Sequence, residues 1–236
     1  MEKIKPPQGI RIHELVFLIS IKKVKQLLDI SSKHKKKSDA EVIHYSAVVY
    51  LVAIWQDFLT YLVEDAFNNM MELSVNPSKI PNNILLLASK DLRESKNNLL
   101  VWKLAGSGWK EVLLEYFKKS IVSFNTPNYY KIDILFERSI GIKNISNRWK
   151  WHGMTSEQAK NRLDKLLAIR HDISHRGRTK YPIDKKRLEE YIHFIHRLVV
   201  CTNNSVGSYL KKLTGKNSYN KLNYQREIGK LKIENN

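Results

Sequence analysis

The chain has 236 residues and carries 41 Lys and Arg against 23 Asp and Glu, a formal net charge of +18. Apolar residues make up 42% and aromatics 10%, enough for a packed core in one sizeable domain, so wholesale disorder is excluded; 9 Gly and 6 Pro exclude collagen-like and linker-like chains. The single cysteine, Cys201, can form neither an internal disulfide nor a cysteine metal cluster, which points to a reducing compartment.

The opening residues MEKIKPPQG are charged and lack a following apolar stretch with a cleavage site, so a cytoplasmic location is expected. Residues 8–31 have helical periodicity and end at Ser31, Ser32 and a lysine-rich turn. Ser38 with Glu41 reads as a capping box that opens a long helix to about Leu73. Val48, Leu51, Val52, Trp55, Leu59 and Leu62 follow the spacing of a buried helix face. The longest apolar run, Ala47 to Trp55, stops at Gln56 and Asp57, short of the roughly 20 residues that span a bilayer, so a core helix and no membrane partner are expected.

Asn76-Pro77 and Ile80-Pro81 break that helix. Shorter helical pieces are predicted near 82–93, 97–105, 108–123 and 130–139, punctuated by Gly106, Gly108, Pro127 and Gly141. Thr155 with Gln158 forms a second capping box, opening a helix to Ser174 or Arg176 that Gly177 can close in a left-handed cap. Asp184 caps a last long helix to about Leu213, with the apolar stripe Leu188, Tyr191, Ile192, Ile195, Leu198 and Val199. Apolar residues thin out after 214, predicting a tail that is loose or ordered only on binding. The fold class is all-α, divided into an N-terminal helix and Lys-rich turn (1–38), a helical domain (39–213) and a basic tail (214–236).

The positive charge is patterned. Segments 22–37, 160–187 and 211–236 carry basic excesses that together equal the whole net charge, leaving the remainder neutral. A polyanion is the natural partner, because neutralised phosphates release condensed counterions. Solvated basic surfaces are the plain alternative, and an anionic membrane surface a weaker third. Tyr209, Lys211, Lys212, Tyr219, Lys221 and Tyr224 interleave rings and cations in a way that suits single-stranded RNA, or a merely solvated tail.

At about 100° per residue, Arg170 falls about 20° from Leu163, inside the apolar stripe Ala159, Leu163, Leu166, Leu167 and Ile173. A guanidinium there needs a partner, either an internal carboxylate such as Asp57 or Glu64 or a substrate. Its neighbours favour chemistry. Residues 169–177 read Ile-Arg-His-Asp-Ile-Ser-His-Arg-Gly, gathering two imidazoles, a carboxylate, a hydroxyl and two guanidiniums at one helix end. His171 and His175 are four apart on one face, and a two-fold partner packed there would bring two copies of Arg170 and His175 into one cleft. Imidazole suits proton transfer near neutral pH, and guanidinium suits a phosphate gaining charge.

Arg170-x4-His175 at the end of a helix in such a bundle resembles the HEPN superfamily signature. Tyr50 to Leu59 resembles the first core helix of the RiboL-PSP-HEPN type, and Phe136 to Gly141, Trp149 and Leu166 to Arg170 resemble its approach to the motif; the likeness covers about residues 40–205. It implies a HEPN-like up-and-down bundle with extra short helices and a basic tail. It also implies a metal-independent endoribonuclease of toxin, antiviral-defence or RNA-processing type, whose active site forms across a homodimer. A toxin role would bring a cognate antitoxin or other regulatory partner. On this resemblance Arg170 and His175 are catalytic, and His171, Asp172 and Ser174 support them, with Asp172 holding a histidine tautomer. Arg176, Arg178 and Lys180 bind RNA, and neither cofactor nor metal is required. The sequence departs from the family pattern at His171, usually Asn, and at Gln56, usually Glu.

Two rival readings use the same residues. A non-catalytic RNA-binding or partner-binding HEPN scaffold would keep the basic segments without needing His175. A zinc hydrolase would use His171-Asp172-Ile173-Ser174-His175 as a variant of His-Glu-x-x-His, with His193 or His196 as third ligand.

Overall fold

The computed structural model describes residues 10–33, 36–74 and 76–230. Nine α-helices occur among them: α1 (Ile12–Lys33), α2 (Lys37–Leu73), α3 (Asn82–Ala88), α4 (Lys90–Arg93), α5 (Gly108–Val122), α6 (Tyr129–Ile140), α7 (Ser156–Arg176), α8 (Lys185–Thr214) and α9 (Tyr224–Lys230). Three 3₁₀ segments, Pro77–Lys79, Asn98–Leu104 and Ile145–Arg148, link them. No strand occurs among the described residues beyond one antiparallel bridge, Trp151 to Met154.

α2 is the spine. Its 37 residues rise about 1.5 Å each, giving a rod about 55 Å long. By length and composition it would pass for a membrane span, but most of its apolar side chains lie inside the bundle, including Val48, Leu51, Val52, Trp55, Leu59 and Leu62, which are buried as their spacing predicts. α1 folds back antiparallel to it. His44 on α2 meets Ser31 of α1, Phe17 stacks edge-on against Phe58, and Arg11 reaches Asp65. α6, α7 and α8 complete the core around Trp55, whose ring meets Phe58 at 5.8 Å and Trp149 at 6.1 Å. Trp149 is fully buried and donates its indole N–H to Thr202 of α8 at 3.0 Å. Asp133 on α6 accepts from both the backbone N–H and the hydroxyl of Ser146, fixing the 3₁₀ turn that delivers Trp149.

Several local expectations shift. The Ser38–Glu41 box does not form: α2 begins at Lys37, the Ser38 hydroxyl meets Asp39, and Glu41 instead accepts from Tyr45 one turn later. The piece expected at 82–93 splits into α3 and α4 at Ser89, and the piece at 97–105 is 3₁₀, opened by the Asn97 side chain. The start of the first helix, placed at residue 8, is Ile12; residues 8 and 9 lie outside the described ones.

The largest departure is the tail. After α8 ends at Gly215, the chain doubles back along α8: Asn203 and Asn204 grip the Asn220 and Leu222 carbonyls, and Asn204 also accepts from the Leu222 N–H at 2.8 Å. Tyr219 is buried, donates its hydroxyl to Asp65, and lies under the Arg11 guanidinium, which also bonds the Ser218 carbonyl. Tyr224 bonds His193 at 2.9 Å and carries Arg197 at 3.4 Å over its ring. Between residues 216 and 227 the tail is therefore strapped to the bundle. Tyr219 and Tyr224 are committed to these contacts rather than presented for stacking on RNA.

Candidate functional site

α7 is built as its sequence predicts. Thr155 and Gln158 exchange side-chain and backbone hydrogen bonds, and Gly177, at φ 65°, ends the helix by donating its N–H to the Ile173 carbonyl. A positive φ strains any residue with a Cβ, so glycine suits this turn. The basic residues His175 and Arg176 occupy the last turn, where the helix dipole favours cations.

Arg170 is half-buried beside Leu166, Leu167 and Ile169, and its side chain makes no hydrogen bond or ion pair among the described residues. The internal carboxylate partner is not found: Glu64 and Asp57 lie exposed on α2. The Asp57 carboxyl is raised by desolvation, with no neighbouring guanidinium holding it down.

His171 and His175 are exposed, with ring centroids 4.4 Å apart. Ser174 is exposed beside them. Arg170 and His175, five positions apart, diverge by about 140° around the helix. Asp172 does not orient either imidazole as expected. It sits about 100° round from His171 and pairs with Arg176 at 3.3 Å, the partner one turn on.

That pair forms one wall of an open groove of about 630 Å³, which brings Arg176, Arg178 and Lys180 together with Thr179, Tyr181 and Ala168. The three predicted RNA-binding cations thus share one surface. Tyr181, 40% exposed with the Lys180 ammonium 5.3 Å from its ring centre, was not singled out from the sequence; an aromatic following a lysine in a basic stretch is the signal that finds it.

Two basic segments converge at this pole. Lys185 donates to Ser32 at the lysine-rich end of α1, and the buried His44 bridges Ser31 and the Ile183 carbonyl. The third segment, described to residue 230, starts at the far end of α8 and doubles back along it as far as Tyr224 beside His193. As for a zinc site, His193 is bonded to Tyr224 and His196 is fully buried against Phe17, so neither supplies the third ligand. No three His, Cys, Asp or Glu residues come together in a metal-holding group among the described residues.

The RiboL-PSP-HEPN family model matches residues 15–208, from within α1 to within α8. The chain belongs to this HEPN family. No curated protein and no solved structure matches it. HEPN domains are frequently ribonucleases, and the HEPN motif here occupies the end of α7 that borders the basic groove. Gln56, the departure on the first core helix, is half-buried on α2, one residue from Trp55 at the centre of the core.

Proposed function

We propose that this HEPN chain is a metal-independent endoribonuclease acting as a homodimer, in the role of a toxin or antiviral-defence effector. The observation that carries this reading is Arg170: a half-buried guanidinium in an apolar stripe, with no carboxylate to neutralise it among the described residues, at the end of the helix that bears the HEPN histidine. A charge held in that position costs stability unless an anion completes it.

In the reaction, His175 takes the proton from a ribose 2′-hydroxyl, the 2′-oxygen attacks the adjacent phosphorus, and the 5′-oxygen leaves. The second copy's His175 returns a proton to the leaving oxygen. The two Arg170 side chains stabilise the phosphorane, and the products are a 2′,3′-cyclic phosphate and a 5′-hydroxyl. Arg176, Arg178 and Lys180 hold the strand along the groove, with Tyr181 placed to stack on a base. His171 and Ser174, on the same exposed side as His175, contact the phosphate or the catalytic imidazole.

The decisive experiment is cleavage of labelled RNA. Arg170→Ala and His175→Ala are each expected to lower the rate by about 10²- to 10⁴-fold without loss of helicity. Undiminished cleavage by both variants would remove the assignment. Growth arrest on expression, relieved by His175→Ala, tests the toxin role.

A second reading, an RNA-binding HEPN scaffold without catalysis, is favoured by Gln56 and by the exposed position of His175, whose ring has no hydrogen-bond partner among the described residues to orient it. RNA bound at the groove but left intact under all conditions would establish it.

A further inference from the structure

The side layer between α2 and α6 contains an apolar surface that the nuclease reading does not use. In the 3₁₀ segment Asn98–Leu104, side chains three apart eclipse one another, so Leu99 and Trp102 form one ridge and Val101 and Leu104 another. Leu99 and Trp102 are 71% and 72% exposed, unusual for residues of this size placed side by side. Behind the ridge a groove of about 540 Å³ opens between α3, α4 and α5, floored by Leu87, Leu92, Leu100, Val112 and Tyr116.

The rim of the groove is cationic. Lys90, Lys103, Lys119 and Arg138 border it against Asp91 and Glu115. Asp91 is already paired with Lys119 at 3.2 Å, while Lys103 and Arg138 make no ion pair among the described residues. This layer stands at the far end of the spine from the α7 motif: Phe117 stacks on Phe67 at 4.0 Å, whereas His44 marks the end near the basic groove, about 35 Å away along α2.

The geometry points to a docking site for an acidic amphipathic segment of a partner protein. The apolar floor and the Leu99–Trp102 ridge accept anchors spaced at i, i+3 or i+4 and i+7, and Lys103 and Arg138 pair with flanking carboxylates. A second copy of this chain does not fit, because a two-fold contact would set like-charged rims against each other. Trp102 beside Lys103 is also a ring-and-cation pair of the kind that stacks on RNA, but the exposed Leu99, Val101 and Leu104 around it favour an apolar partner, and competition by RNA is the result that decides against the peptide. The site is independent of cleavage.

The test is selection of random 16-residue displayed peptides on the full-length protein. Enriched peptides are expected to alternate apolar anchors at helical spacing with an excess of Asp and Glu. They should lose about tenfold or more in affinity for Trp102→Ala and for Lys103→Glu, two exposed positions whose replacement leaves helicity and RNA binding unchanged. The proposal is overturned by any of four results: no enrichment, enriched peptides without acid excess, equal binding to both variants, or displacement of the peptides by RNA. Micromolar self-association that Trp102→Ala abolishes would assign the surface to a second copy and overturn it as well.

Discussion

His196 is fully buried on α8, its ring edge-on to Phe17 at 4.8 Å and its Nδ1 bonded to the Ile192 carbonyl. Burial pushes its pKa down to about 4, and burial also lowers His13. In the unfolded chain an imidazole titrates near 6.5, so as pH falls the unfolded state binds the proton first. The contribution is fully present above pH about 6.5 and is lost as pH falls toward about 4. For His196 it amounts to about 3 kcal/mol at most. The urea midpoint should fall between pH 7 and 4.5, and His196→Leu should flatten part of that fall; identical profiles would show that His196 is not the group. Arg170 makes the opposite kind of prediction. Arg170→Leu should raise stability by about 1 kcal/mol while abolishing cleavage, because the side chain occupies an apolar stripe without a partner among the described residues. A destabilised Arg170→Leu protein would reveal a structural partner and weaken the catalytic assignment.

Among the elements, the strap after α8 depends on a glycine. An added Cβ at Gly207, in the middle of α8, would meet the Tyr219 Cβ at 2.7 Å, so the absence of a side chain lets residue 219 press onto the helix. Helix propensity alone would favour alanine there by about 1 kcal/mol. Gly207→Ala is instead expected to destabilise the protein and to expose residues 216–223 to limited proteolysis. Tyr219→Phe should cost about 1 kcal/mol through the lost bond to Asp65 and leave the proteolysis pattern closer to wild type. A Gly207→Ala protein as stable and as resistant as the parent would mean that the strap contributes little to the bundle.

For the whole molecule, the important quantity is where the charge lies. Two of the three basic segments meet beside the end of α7, while the third follows the strap and has its aromatic rings committed to Asp65, Arg11, His193 and Arg197. RNA binding should therefore depend on the groove. For single strands each released counterion adds about 0.7 to the slope of log affinity against log salt, so replacing Arg176, Arg178 and Lys180 together by Gln should reduce that slope by about 2. An unchanged slope, measured with an uncleavable RNA, would place the strand elsewhere.

The sequence by itself determined the all-α class, the extent of α2, α7 and α8, the Thr155 and Asp184 caps, the Gly177 stop, the family and the position of Arg170 in an apolar stripe. These are set by period 3.6 and by hydrogen bonds reaching three or four residues, so they are written locally. Tertiary structure decided the rest. Tyr219 is ordered by Asp65 and Arg11, which lie 154 and about 208 residues away in the chain, and no local pattern encodes such contacts. Asp172 turned to Arg176 rather than to a histidine because the helix placed Arg176 one turn away on its own side. Arg170 is left without a carboxylate among the described residues because Asp57 and Glu64, the acids its stripe position called for, lie exposed on α2. Which groups face one another across a bundle depends on how helices rotate as they pack, and that rotation is fixed by the whole core at once.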